Sequence, residues 1–427
     1  QLFAVKDTLE ILNLGGNHLT ELPEEIVQFS KLRVLFLGSN DFVRIPCVLG
    51  RMSSLYMLSF KSNKVESIPE DSLSPSIGWL ILTDNRLETL PRSIGGLSGL
   101  RKLMLANNHL VSLPAELARC RQLELVRLSR NRLVSFPDWL FELPRLSWLA
   151  LSGNPASDIS NIEIPNTINS SDLVVGEVIG QGASGFVHKV TSSVQKFDYD
   201  KSRFNGIAVK LFKGECGSDG HPSDEVYVSG RVGALNPYIL PVLGCISERI
   251  GSSEDTANSI SGIKYGLVFP LIPENCGVLA FPPSFTTVTR DVYAEGTIFS
   301  ITRALKMLSG IASAGRYLHS RGIMHGDMYG HNLHVYEDGQ PILVDFGAAT
   351  AYGQFVSSSD QAGRSRYEAL DVRAFGCLME EIFGKVLTES VPPILVELKN
   401  QCLLDEASSR PSFEVIHSAF AAHNKLV

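Results

Sequence analysis

Nowhere does this chain run to eighteen consecutive apolar residues, so no stretch reads as a membrane-spanning helix. Cysteine is sparse and unpatterned. The seven residues (Cys47, Cys120, Cys216, Cys245, Cys276, Cys377 and Cys402) are scattered, odd in number and never spaced C-x-x-C. That excludes a disulfide scaffold and a zinc ribbon, and leads us to expect a reduced, cytoplasmic setting. Basic residues are outnumbered, 38 Lys and Arg against 45 Asp and Glu, for a formal net charge of −7. A nucleic-acid partner held on a general basic surface is therefore not expected. No G-x-S-x-G elbow is present, which removes the usual hydrolase nucleophile. Gln1 is followed by no signal-peptide pattern, and because the chain opens inside a repeat we expect further sequence ahead of it. With 44% apolar and 19% charged residues over 427 positions, the composition is that of two or three globular domains, not of a disordered chain.

What the chain does have is a period. Asn17, Asn40, Asn63, Asn85, Asn108, Asn131 and Asn154 recur at 22 or 23 residues, most of them closing L-x-x-L-x-L-x-x-N, as at Leu32, Leu35, Leu37 and Asn40. Between them recurs L-P-x-x-[IL], as in Leu22-Pro-Glu-Glu-Ile26 and Leu113-Pro-Ala-Glu-Leu117. One such motif arises by chance in any core helix or strand; seven at one period mean a leucine-rich repeat solenoid over residues 1–155. Each repeat should place one short strand on a concave face and an irregular or 3₁₀ segment on the convex side. The leucines point inward and each Asn satisfies backbone groups where the chain turns. Phe60 and Ile77 replace leucines with other apolar side chains. Outward positions beside the central leucines include Val34, Phe36, Met57, Trp79, Ile81, Met104, Arg127 and Trp148. A strip of Trp, Phe and Met exposed on one face predicts a protein ligand there; the plainer reading is a neutral solvated sheet.

Residues 156–171, rich in Ser, Asn, Asp and Pro without apolar periodicity, read as a linker. A β-branched run from Leu173 then opens a second module at 172–424. Its first turn, Gly180-Gln-Gly-Ala-Ser-Gly-Phe-Val187, is a G-x-G-x-x-G-x-V loop between two predicted strands. A dinucleotide fold would follow such a loop with a helix, whereas here Phe186 to Val190 continue as strand, which favours a phosphate-covering hairpin. Ile207-Ala-Val-Lys210 is a strand ending in a Lys, with Glu225 the first and Asp224 the second choice of acidic partner on the next helix. Polar stretches at 191–206 and 249–262 read as surface insertions. Strands are predicted at 239–244 and 265–272, the second bringing Phe269 to the back of a pocket, and helical periodicity covers 300–322.

His325-Gly-Asp-Met-Tyr-Gly-His-Asn332 and Val344-Asp-Phe-Gly347 follow. Asp327, Asn332 five residues on and Asp345 thirteen further are spaced as one carboxylate for an attacking hydroxyl plus two oxygen ligands for Mg²⁺, although Asp, Asn and Gly are also ordinary turn residues. Close histidines at 325, 331 and 334 suggest a metal cluster far less than they suggest structural side chains.

Together these residues resemble a eukaryotic-type protein kinase domain of the tyrosine-kinase-like group. Asp371-Val-Arg-Ala-Phe-Gly376 is similar to that family's D-V-x-S-F-G helix start and Ser409-Arg-Pro-Ser-Phe413 to its R-P-S/T-F segment. The chain as a whole resembles cytosolic leucine-rich-repeat protein kinases. The resemblance implies an α/β multidomain architecture, a solenoid followed by a bilobal kinase fold with a β-rich N-lobe and an α-helical C-lobe. It implies ATP and Mg²⁺ use and transfer of phosphate to protein Ser/Thr hydroxyls in signal transduction. Asp327, Lys210 and Glu225 would be the catalytic residues. Gly180, Gln181, Gly182, Ala183, Ser184, Gly185, Val187, Ala208, Lys210 and Phe269 would hold the nucleotide, and Asn332 and Asp345 the metal. The repeats would recruit a partner or substrate through Phe36, Met57, Trp79, Ile81, Met104, Arg127 and Trp148. Three departures stand out. Gly326 occupies the position of an Arg, Tyr329 that of a Lys, and 345–371 is a short activation segment without A-P-E. They leave open a nucleotide-binding pseudokinase that acts as a scaffold.

Overall fold

A computed structural model describes residues 2–159, 162–182, 184–213, 220–249 and 263–424. Seven three-residue strands form one parallel sheet in chain order: β1 (Ile11–Asn13), β2 (Val34–Phe36), β3 (Met57–Ser59), β4 (Trp79–Ile81), β5 (Lys102–Met104), β6 (Leu125–Arg127) and β7 (Trp148–Ala150). The convex side is built mostly of 3₁₀ turns, four of them entered through an extended Pro (Pro23, Pro46, Pro91 and Pro114), and of a short helix α1 (Asp138–Phe141) that Pro137 leads into. Proline suits that place because the first residue of a turn has no use for its N–H.

The asparagine ladder does what the spacing predicts. Asn108 donates its amide to Leu82 O at 2.9 Å and Leu105 O at 3.0 Å and accepts from Leu87 N at 3.1 Å. Asn40, Asn85 and Asn131 repeat the pattern. Each side chain thus links neighbouring turns and pairs carbonyls of both at the bend. Leu35, Leu58, Leu80, Leu103 and Phe60 are fully buried between the strands and the convex turns.

The second module has two lobes. The first is a five-stranded antiparallel sheet, ordered β11-β12-β10-β9-β8, from β8 (Leu173–Gln181), β9 (Gly185–Ser193), β10 (Ile207–Phe212), β11 (Gly244–Arg249) and β12 (Ile263–Pro270). Helix α2 (Pro222–Val232) packs on β11 and β12. The second lobe carries α3 (Ile301–Ser320), α4 (Gln361–Phe383), α5 (Pro393–Cys402) and α6 (Phe413–Asn424). A small sheet of β13 (Cys276–Val278), β14 (Leu333–Tyr336) and β15 (Pro341–Leu343) lies beside them.

Several expectations need correction. The strand predicted at 239–244 begins at Gly244. Ahead of it the chain is extended but pairs only piecemeal, Leu240 N to Leu343 O and Leu243 N to Val268 O, because Pro241 has no N–H to give a ladder. Asp371 does not open a helix but lies in the middle of α4, which starts at Gln361 behind an Asp360 cap on Gly363 N. The stretch at 156–171 is more than a connection. Ile159 joins the helical-lobe core, and Asn166 and Ile168 bond to Cys245 alongside β11. Cys216, Ala183 and all of the second polar insertion but Arg249 fall outside the described residues.

The largest correction concerns the concave strip. Met57, Trp79, Arg127 and Trp148, expected to face solvent, are each at most 8% exposed. What covers them is the chain's own helical lobe. Trp79 and Phe36 meet Phe285, with ring centroids 6.2 and 5.9 Å apart, and Val288 is buried among Val34, Met57 and Trp79. Farther along, Phe141 packs edge-on to Tyr367 at 4.7 Å, Arg366 pairs with Asp138 at 2.6 Å, and Arg410 donates to Pro144 O at 3.1 Å. Met324, Tyr352, Val356, Tyr367 and Leu370 belong to the repeat core, while Leu125 and Trp148 belong to the helical-lobe core. The modules therefore share their apolar interiors across a contact that runs from the second strand of the array to its last.

Candidate active site

Between the two lobes lies a cavity of about 480 Å³, within the range of small-molecule sites. Its roof is the β8–β9 hairpin, contributing Gly180, Gly182, Ser184, Gly185 and Val187; its floor includes Val344, Asp345, Phe346 and Gly347. Gly185 is required by packing, since a Cβ there would stand 2.5 Å from Leu211 O. Ala208, Leu267, Phe269 and Val242 form apolar walls, so a flat ring and a phosphate chain could share the space. Gln181, expected to touch the nucleotide, is not part of the lining.

Lys210 projects from β10 into this cavity, and its Nζ donates to Glu225 Oε1 on α2 at 2.6 Å. Both side chains are largely buried, so the pair is locked: removing either partner would strand a charge in low dielectric, typically about 3–5 kcal/mol. Asp224, the second choice, is buried elsewhere with one carboxylate oxygen unpartnered among the described residues. Burial and the nearby Asp158 push its carboxyl up to about 7.

Asp345 lies exposed at the cavity edge with φ of +59°, a left-handed conformation uncommon outside glycine; its Oδ1 accepts Gly347 N at 3.0 Å. Asn332 lies behind it, its backbone carbonyl accepting Val344 N at 3.0 Å and its amide donating to Asp327 O and Oδ2 at 2.8 and 2.9 Å. The exposed Asp345 carboxylate and the Asn332 amide oxygen are hard donors of the kind Mg²⁺ takes, so the residues fit that ion.

Asp327 is held on both oxygens. Oδ2 takes the Asn332 amide, and Oδ1 takes the Arg127 guanidinium from β6 of the repeats. Burial alone would raise its pKa, but Arg127, His331 and His325 more than offset that and hold the carboxyl below its usual range. The whole loop is pinned from beneath by Asp371, fully buried, which accepts His325 N at 2.7 Å and Gly326 N at 2.9 Å and pairs with His319 at 3.0 Å. Asp291, also buried, takes His331 Nδ1 at 2.6 Å.

Sequence reading missed three of these roles. Arg127 was visible only as a concave-face residue, Asp371 only as part of a helix motif, and nothing around Asp291 marks it as the partner of His331. The predicted residues that the structure gathers in one cavity are Gly180, Gly182, Ser184, Gly185, Val187, Ala208, Lys210, Glu225, Phe269 and Asp345.

Comparison with known proteins finds two kinds of similarity. Leucine-rich-repeat family models match residues 8–29 and 98–155. Two Arabidopsis thaliana serine/threonine-protein kinases are similar to it. AtPK1/AtPK6 is 36% identical over 227 residues, covering 52% of this chain and 42% of the relative. AtPK2/AtPK19 is 27% identical over 223 residues, 52% and 41%. The chain thus spans about two fifths of the length of these curated relatives. A leucine-rich-repeat protein of Leptospira interrogans is 30% identical over 35% of this chain and 44% of its own, at a TM-score of 0.30 that is too low to bear on the fold. The chain carries leucine-rich repeats together with low-identity similarity to serine/threonine protein kinases over about half its length.

Proposed function

We propose that residues 172–424 form a protein kinase domain that transfers the γ-phosphate of ATP to Ser/Thr hydroxyls of proteins, joined through 156–171 to the repeats at 1–155. The observation that carries the reading is the Lys210–Glu225 pair, 2.6 Å apart inside the glycine-roofed cavity that Asp345 also lines. In it Lys210 neutralises α- and β-phosphate oxygens, and the backbone of the 180–185 loop covers the phosphates. Asn332 and Asp345 hold Mg²⁺, which spreads the negative charge of the phosphate chain when bound. Asp327 orients the acceptor hydroxyl and takes its proton. Recruitment by the repeats is confined to surface outside the contact with the helical lobe, since the strip first expected to bind a partner is mostly occupied from within.

A scaffold that binds nucleotide without efficient transfer is the second reading, favoured by the double engagement of the Asp327 carboxylate. Lys210→Met tests the kinase reading at the cavity. Mg-ATP binding by wild type, followed by calorimetry, should weaken at least about tenfold in the variant, and phosphate transfer to dephosphorylated casein should vanish with it. Equal binding in the two proteins would remove the cavity from consideration as the nucleotide site.

A further inference from the structure

We propose that Arg127 is the cation of the Asp327 loop, supplied from the sixth strand of the repeats in place of the Arg and Lys absent at Gly326 and Tyr329, and that it is a positioning residue for Asp327. This rests on the protein-kinase reading above.

Both departures from the kinase pattern are explained by the repeat module lying against the loop. Gly326 has φ of +72°, and a Cβ on it would stand 2.5 Å from Leu149 O; Leu149 N in turn donates to Gly326 O at 3.1 Å. No side chain fits there. Tyr329 lies flat on Trp148, with centroids 4.2 Å apart and planes 8° from parallel, while Trp148 Nε1 donates to Met328 O at 3.4 Å. Where the family pattern would put two cations into this space, the chain puts a glycine and a stacked ring. Arg127 enters between them, donating to Asp327 Oδ1 and reaching Gly326 O at 3.5 Å.

An inhibitory clamp would use the same contact, and two observations decide against it. First, the side chain of Arg127 is 5% exposed and that of Asp327 16%, so the guanidinium approaches from the repeat side and the Asp327 side chain keeps some exposure with the contact in place. Second, a clamp must release, yet the two modules share apolar cores around Tyr352, Tyr367, Leu125 and Trp148. Separation would expose that surface to water. A fixed contact suits a component of the site.

In the transfer step the acceptor oxygen forms a bond to the γ-phosphorus as the bond to the β–γ bridging oxygen breaks, the electron pair leaving with ADP and the hydroxyl proton passing to Asp327. A buried cation against Oδ1 fixes the carboxylate rotamer so that Oδ2, which also accepts the Asn332 amide, meets the acceptor, and adds a permanent positive charge beside the transferred group.

The test compares wild type, Arg127→Gln and Arg127→Lys as full chains, with Mg-ATP and dephosphorylated casein, rates being normalised to nucleotide bound per molecule so that misfolded protein is not counted. The expected result is that Arg127→Gln lowers kcat by about 100-fold with KM for ATP changed by less than about twofold, and that Arg127→Lys recovers at least about tenfold of the loss. A purely structural role would reduce the amount of binding-competent protein in both variants and leave kcat per bound nucleotide unchanged, which would overturn the proposal. A gain of activity in Arg127→Gln would overturn it in favour of the clamp. An inert wild type that binds Mg-ATP would sink the kinase reading, and the proposal with it; an active wild type with an equally active Arg127→Gln would sink the proposal alone.

Discussion

Gly326 shows how much a single residue can be asked to carry. Its positive φ and its contact with Leu149 O are both intolerant of a side chain, and its N–H is spent on buried Asp371. Gly326→Ala should therefore cost about 3 kcal/mol, from a left-handed alanine plus overpacking against a backbone that cannot retreat. Chemical denaturation of the pair of proteins measures it. Sequence alone marked Gly326 as an odd member of its loop but could not say what replaced the missing cation. Arg127, whose guanidinium reaches the Gly326 carbonyl, lies 199 residues upstream in the chain, a separation that no local pattern encodes. Lys210 and Glu225, only 15 residues apart with a strand and a helix start between them, were within reach of local reasoning because the strand end and the next helix must face each other.

At the scale of elements, α4 is the piece the sequence hid most. It starts at Gln361, well ahead of Asp371, so the motif there reads as a start although the helix is already three turns old. The repeats were the reverse case. The strands were visible, because a period repeated seven times averages out local ambiguity, although the short helix α1 stands where an irregular or 3₁₀ segment was expected. Helix α4 also carries Glu381, whose carboxylate accepts from Tyr293 at 3.2 Å and Arg290 at 3.4 Å. Burial, with buried Asp291 nearby, pushes this carboxyl up to about 7 from its ordinary 4.5. The folded protein then binds more protons than the unfolded chain between those values, so this group's contribution to stability falls as pH rises from about 4.5 to about 7 and is flat above. Glu381→Gln should abolish that part of the slope. Melting curves at pH 5 and pH 8 should show wild type losing about 2 kcal/mol more than the variant across the interval. Parallel losses in the two proteins would mean Glu381 is ionised in the fold throughout.

For the whole molecule, the repeats are packed against the helical lobe and reach the Asp327 loop through Arg127 and Trp148. Exposed aromatics on a solenoid face suggest a foreign ligand; here the helical lobe of the same chain covers most of them. A shared interior has a thermodynamic signature. Trp148→Ala removes a fully buried ring stacked on Tyr329 and should destabilise by about 3–5 kcal/mol. The repeats and the helical lobe should lose stability together, seen by calorimetry as one displaced transition. A shift confined to one of two resolved transitions would show that the modules fold independently. The decisive measurement is phosphate transferred to casein at saturating Mg-ATP by wild type and Asp327→Asn, with nucleotide occupancy read in the same samples. If the loop, the cavity and Arg127 make one phosphoryl-transfer site, occupancy should agree within about twofold while transfer falls by about 100-fold or more in the variant. Equal transfer by both proteins, or none by a fully occupied wild type, would contradict it.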